Sequence, residues 1–93
     1  MQVRNAMQQK LIDGLAPERL EIEDQSHRHH GHAGASPEGE SHFHIEIVTT
    51  AFAGMSKVAR QRLVYSLLAD ELKTRVHALS LTTLTPEEAK TSR

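Results

Sequence analysis

Val3, Met7, Leu11 and Leu15 recur at every fourth position, with Ala6 and Ile12 beside them, which is one apolar helical face. The spacing predicts a helix over residues 2–15. Gly14 weakens its end, and Pro17 closes it because the residue before a proline avoids the helical region. Leu20-Glu21-Ile22-Glu23 then alternates apolar with polar, as a half-buried strand does. The alternation returns over His42 to Val48, where Phe43, Ile45 and Ile47 point one way and His42, His44 and Glu46 the other. Between these strands, residues 25–41 lose all periodicity and carry Gly31, Gly34, Gly39, Pro37 and three serines, which is loop composition. Connections of that length are usually functional or disordered. Residues 20–49 therefore read as a hairpin with a wide tip.

Residues 50–55 form a short connector, and Ser56 is placed to cap the helix that follows. Lys57 to Thr74 reads as the longest helix. Val58, Tyr65, Leu68 and Leu72 fall within one arc of it, with Val64 at the margin and Leu63 and Leu67 elsewhere, so contacts on more than one side are expected. Residues 75–83 read as a third strand, with Leu79 and Leu81 on one face. Thr85-Pro86-Glu87-Glu88 has the signature of a helix start: a capping hydroxyl, proline at the first helical position and acids in the first turn. The order helix, strand, strand, helix, strand, short helix predicts a single α+β domain over residues 1–93. It is a two-layer sandwich, a three-stranded mixed sheet with helices on one face.

Composition changes this picture at one point. The chain has seven histidines and no cysteine, and four of the seven, His27, His29, His30 and His32, crowd into six residues of the predicted hairpin tip. Imidazole is the commonest protein metal ligand. A soft or borderline metal would have to be held by nitrogen here, with any sulfur supplied by a partner. Without cysteine there is no disulfide and no sign of an oxidising compartment. The net charge of −1 gives no global drive towards nucleic acid or anionic lipid. No segment has the length of a membrane span and the first ten residues lack a signal-peptide core, so a soluble cytoplasmic protein is expected. An organellar location stays open should a presequence have been removed.

The candidate chemistry is nitrogen-based. His29 and His32 are three apart, and His27 and His29 two apart; on a loop either spacing can close around one metal. The ordinary alternative is a solvated loop that picks up zinc or nickel. His42 and His44 share a strand face, and His42 is a structural imidazole unless it lies near His77 across the sheet. Lys57, Arg60 and Arg62 are the candidate phosphate contacts, arginine forks being suited to phosphate, although Asp70 and Glu71 interrupt any basic stripe. Gly31-His32-Ala33-Gly34 has the spacing of a nucleic-acid-clamping glycine loop but sits in the hairpin, where that spacing is coincidental. No nucleophile elbow accompanies Ser26, Ser36 or Ser41, and no phosphate-binding glycine loop is present, so no enzyme activity is expected.

Gly39-Glu40-Ser41-His42-Phe43, Phe52-Ala53-Gly54, Val58 to Tyr65, Glu71-Leu72, Val76-His77-Ala78-Leu79 and Thr85-Pro86 together resemble the BolA family, over about Leu11 to Glu88. Gln61 stands where members often have histidine, and the hairpin loop is longer and richer in histidine than in the best-known members. The resemblance implies a class II KH-like topology with a helix-turn-helix-like segment over about residues 50–74. It implies an adaptor in iron–sulfur trafficking or iron sensing, which binds a monothiol glutaredoxin and shares a bridging [2Fe-2S] cluster with it and its glutathione. His77, in Val-His-Ala-Leu, would be one cluster ligand and a loop histidine, His32 or His29, the other. The isolated chain would then hold no stable cluster, and a weak homodimer is possible. The resemblance also implies a different role, as a DNA-binding transcriptional regulator; a zinc- or nickel-binding loop is the third reading.

Overall fold

The computed structural model describes residues 3–25 and 42–91. Its elements run α1 (Val3–Leu15), β1 (Arg19–Asp24), β2 (His42–Val48), α2 (Lys57–Leu67), α3 (Ala69–Thr74), β3 (Ala78–Leu84) and α4 (Pro86–Thr91), with a 3-10 turn at Thr50–Phe52. The sheet order is β1-β2-β3. β1 lies antiparallel to β2, with Ile22 opposite Ile45, and β3 lies parallel to β2, with Leu81 opposite Ile45. The fold is thus the expected α+β sandwich, with a mixed three-stranded sheet and four helices.

The period-four stripe forms as expected: Val3, Met7, Leu11 and Leu15 are all buried. α1 runs through Gly14 to Leu15, because at Gly14 the missing Cβ leaves room for the Leu67 side chain, which would lie 3.0 Å from it. The helix ends at Ala16, whose φ of 46° is left-handed and whose amide still donates to the Ile12 carbonyl. Thr49 then joins two elements. Its fully buried hydroxyl donates to the Leu15 carbonyl and accepts from the Ala51 amide, so one side chain satisfies a helix C-terminus and starts the 3-10 turn. β2 buries Phe43, Ile45 and Ile47 under the helices and leaves His42, His44 and Glu46 on the far face, half-buried.

Three expectations are corrected. The helix over 57–74 is two helices that meet at Leu68, with φ −105° and ψ 19°. No glycine or proline causes the bend; Leu68 is fully buried, and the backbone turns to seat it. The buried stripe of α2 is Arg60, Val64 and Leu68, whereas Val58 and Tyr65 are exposed. The arc read from apolar residues held Leu68, with Val64 at its margin, and missed Arg60 because that member carries a charge. The third strand begins at Ala78 rather than residue 75, since the Arg75 and Val76 amides both donate to the Glu71 carbonyl and stay in the terminal turn of α3. His77 accordingly sits in the coil just ahead of β3.

α4 is fixed by a reciprocal capping box: the Thr85 hydroxyl accepts from the Glu88 amide, and the Glu88 carboxylate from the Thr85 amide. None of the described helices is long and apolar enough to cross a membrane.

Candidate metal-donor site

The far face of the sheet is polar and is built row by row from the strand register. Glu21 stands opposite Glu46, and Arg19 reaches both carboxylates, at 2.8 and 3.1 Å. In the next row His44 is held from both sides: Nδ1 lies 2.7 Å from the Ser80 hydroxyl and Nε2 3.1 Å from the Thr82 hydroxyl. With both nitrogens engaged on β3, this ring is a cross-strand clasp.

His42 closes the row at the end of the sheet. Its partner on β3 is Ala78, the residue after His77. Alanine places no bulk between the two rings, and the His42 and His77 centroids lie 6.4 Å apart, tilted by 47°. His42 is half-buried and His77 exposed. A shallow cleft beside them, of about 230 Å³, is lined by Gln25, His42, Phe43, Ala78, Leu79 and Ser80. The Gln25 amide donates to the His42 carbonyl at 2.7 Å, so the two ends of the segment 26–41 are tied together at this same end of the sheet. His29 and His32, the candidate loop ligands, lie outside the described residues, as do His27 and His30. Among the described residues no three of His, Cys, Asp or Glu converge on one metal position, so the described surface offers imidazole donors as a pair.

The candidate phosphate contacts divide. Arg60 is 5 % exposed, and its guanidinium donates to the Met55 carbonyl at 3.0 Å, the Thr83 carbonyl at 3.0 Å and the Glu88 carboxylate at 2.7 Å. It also lies 5.6 Å over the Phe52 ring. A guanidinium saturated in this way is not a surface phosphate contact, which corrects the reading of Arg60. Lys57 donates to the same Thr83 carbonyl at 2.7 Å. Arg62, on the same helix, is exposed. The Arg60 guanidinium first, and then the Thr85 amide, hold the Glu88 carboxyl down at about 2. Sequence reasoning recognised Thr85 and Glu88 as a helix start but missed Arg60 as their partner; the signal available was its four-residue spacing from Val64.

Comparison with known proteins agrees with this architecture. The chain is 49% identical to SufE-like protein 1 (chloroplastic/mitochondrial) of Arabidopsis thaliana over 88% of its own length, although it spans only 23% of that relative. It is 42% identical to the DNA-binding transcriptional regulator BolA of Escherichia coli, over 95% of this chain and 80% of that one. The solved structure of BolA1 from Arabidopsis thaliana superposes with a TM-score of 0.82 at 42% identity, covering 95% of this chain and 96% of that chain. The family model described as BolA-like protein matches residues 11–88, and the chain belongs to that family.

Proposed function

We propose that this chain is a non-enzymatic adaptor that shares a [2Fe-2S] cluster with a monothiol glutaredoxin, lending His77 and one loop histidine, His32 or His29, as ligands. The observation that carries the proposal is the placement of His77. It is exposed, at the end of the sheet where Gln25 and His42 anchor the segment that contains the loop histidines. The donor chemistry fits: a chain with seven histidines and no cysteine can supply nitrogens and needs its sulfurs from elsewhere. A glutaredoxin would contribute its own cysteine and that of glutathione. Neutral imidazoles in place of anionic thiolates raise a cluster's reduction potential. The protein's own part is to hold His77 next to the rigid start of β3 and to bring the loop to it.

The test is spectroscopic. The chain co-purified with a monothiol glutaredoxin should show visible charge-transfer bands that the chain alone lacks, and His77→Ala should remove at least half of their intensity. Unchanged bands in that variant would end the proposal.

Nucleic-acid binding is the second reading, favoured by the name of the Escherichia coli relative. The burial of Arg60 leaves Arg62 and Lys57 as its phosphate contacts. Such binding must weaken steeply with salt, and a duplex-DNA titration at two salt concentrations that finds no salt-sensitive affinity retires it.

A further inference from the structure

We infer that the outer edge of β1 is a docking site for an extended basic segment of a partner protein, which joins the sheet there as a fourth strand. The inference uses none of the cluster ligands and stands without the cluster proposal.

The strand register carries it. The Gln25 amide donates to the His42 carbonyl, so the pairs that exchange backbone bonds continue as Glu23 with His44 and Glu21 with Glu46. Leu20 and Ile22 then turn their amides and carbonyls away from β2, to the outer edge. The Ile22 carbonyl is found there: Arg4 Nε, on α1, donates to it at 3.4 Å, a long bond that an incoming amide can replace. β3, the opposite edge of the sheet, is closed. Its Leu79 carbonyl accepts from the Tyr65 hydroxyl, and its Thr83 carbonyl from Lys57 and Arg60, all three on α2. Among the described residues, a helix seals one edge, and the long Arg4 bond covers part of the other.

The charge pattern selects the occupant. Glu18 to Asp24 holds four acids against Arg19. Glu21 and Glu23 are exposed on the far face, whereas Leu20 and Ile22 turn towards the helices. A groove of about 590 Å³ follows the strand, with Arg4, Leu20 and Ile22 on its helical side and Glu21, Glu23 and Glu46 on the other. Arg19 bridges Glu21 and Glu46, which leaves that side acidic. An added strand with lysine or arginine at every second position sets its cations beside Glu21 and Glu23. The small apolar residues between them lie beside Leu20 and Ile22. A second copy of the chain fits poorly. In a two-fold pairing of outer edges, Glu21 would face Glu21 or Glu23 of the second copy, and like charges directly opposite repel. Charge of one sign on an edge strand blocks self-association and leaves the edge open to a strand of the other sign.

The experiment titrates the full chain with an acetylated, amidated hexapeptide that alternates lysine with valine, followed by backbone amide resonances. The expected result is saturable binding in which the Leu20 and Ile22 amides shift most and gain protection from hydrogen exchange, while the Leu79 and Leu81 amides stay in place. The double variant Glu21→Gln, Glu23→Gln should bind about fivefold more weakly, the effect of two lost cross-strand charge pairs. Both glutamates are exposed, so this variant tests binding and not folding. Arg4→Ala should bind more tightly, because the competing donor is gone. A peptide with glutamate in place of lysine should not bind. N-methylating the valine amides and N-methylating the lysine amides should differ: the set that faces β1 abolishes binding, and the other set is tolerated. Equal effects of the two methylated sets would mean attraction between charges without strand pairing, and they overturn the inference. It is overturned equally by the absence of saturable shifts at the β1 amides, by unweakened binding in the double variant, or by weaker binding in Arg4→Ala. Shifts of the β1 amides on concentrating the chain alone would make a second copy the occupant and overturn it too.

Discussion

Replacing Arg60 by methionine keeps most of the side-chain stem and removes the charge. Three acceptors then lose a donor: the Met55 carbonyl, the Thr83 carbonyl and the Glu88 carboxylate. A hydrogen bond to a charged group contributes about 1.5–3 kcal/mol, and a buried acceptor left without its donor costs about 1–3 kcal/mol. Two features reduce the sum. Lys57 still donates to the Thr83 carbonyl, and the Glu88 side chain, 41 % exposed, can be rehydrated. The expected loss is about 3 kcal/mol, set against a total stability of about 5–15 kcal/mol for a domain of this kind. At about 4–8 °C per kcal/mol for a domain this small, the melting temperature should fall by roughly 12–24 °C. Urea unfolding followed by far-ultraviolet circular dichroism measures this, with an unchanged slope confirming that stability and not compactness has altered. Arg62→Met is the control: same helix, same charge, exposed, and expected to stay within about 0.5 kcal/mol of wild type. A loss under about 1 kcal/mol for Arg60→Met, or equal losses for the two variants, refutes the structural assignment of Arg60.

The same lock makes stability depend on acid. Glu88 titrates near 2 in the folded chain against an ordinary value of 4.5, so its contribution is complete above about pH 4.5 and is lost as pH falls through about 2. The urea midpoint should decline across that window, less steeply in Glu88→Gln; identical slopes for the two proteins would contradict the pairing. Gly54 has a φ of 79° with nothing within 4 Å of where a Cβ would sit. Gly54→Ala should therefore cost about 1–2 kcal/mol through the backbone alone and Gly54→Asn less, and equal stability of all three proteins in urea would show that the turn tolerates any residue.

Much of this fold is legible in the amino-acid order because single residues decide it locally. The every-fourth stripe from Val3 to Leu15 and the alternation from His42 to Val48 each declare a buried face. Ser56 accepts from the Ala59 amide as a capping serine should. What escaped depends on partners distant in the chain. Leu68 bends the helix to reach the core, a demand no neighbouring residue signals. Arg60 reads as a surface charge until Glu88, far along the chain, comes to meet it. The nearness of His42 to His77 could be anticipated as a possibility from strand order. It became definite only with the register that sets His42 beside Ala78. The histidine-rich tip, the most conspicuous segment in the composition, lies outside the described residues, and its donors stay with the sequence argument.

The parallel pairing of β2 and β3 acts as a ruler. Phe43 meets Leu79, Ile45 meets Leu81 and Ile47 meets Thr83. A slip by one residue would turn Leu79 and Leu81 out to solvent and carry His77 about 3.3 Å along the strand. The spacing between two imidazoles at the surface is therefore dictated by aliphatic contacts that never touch them. Repacking the leucines inside would therefore change the distance between these two rings while every histidine stays in place.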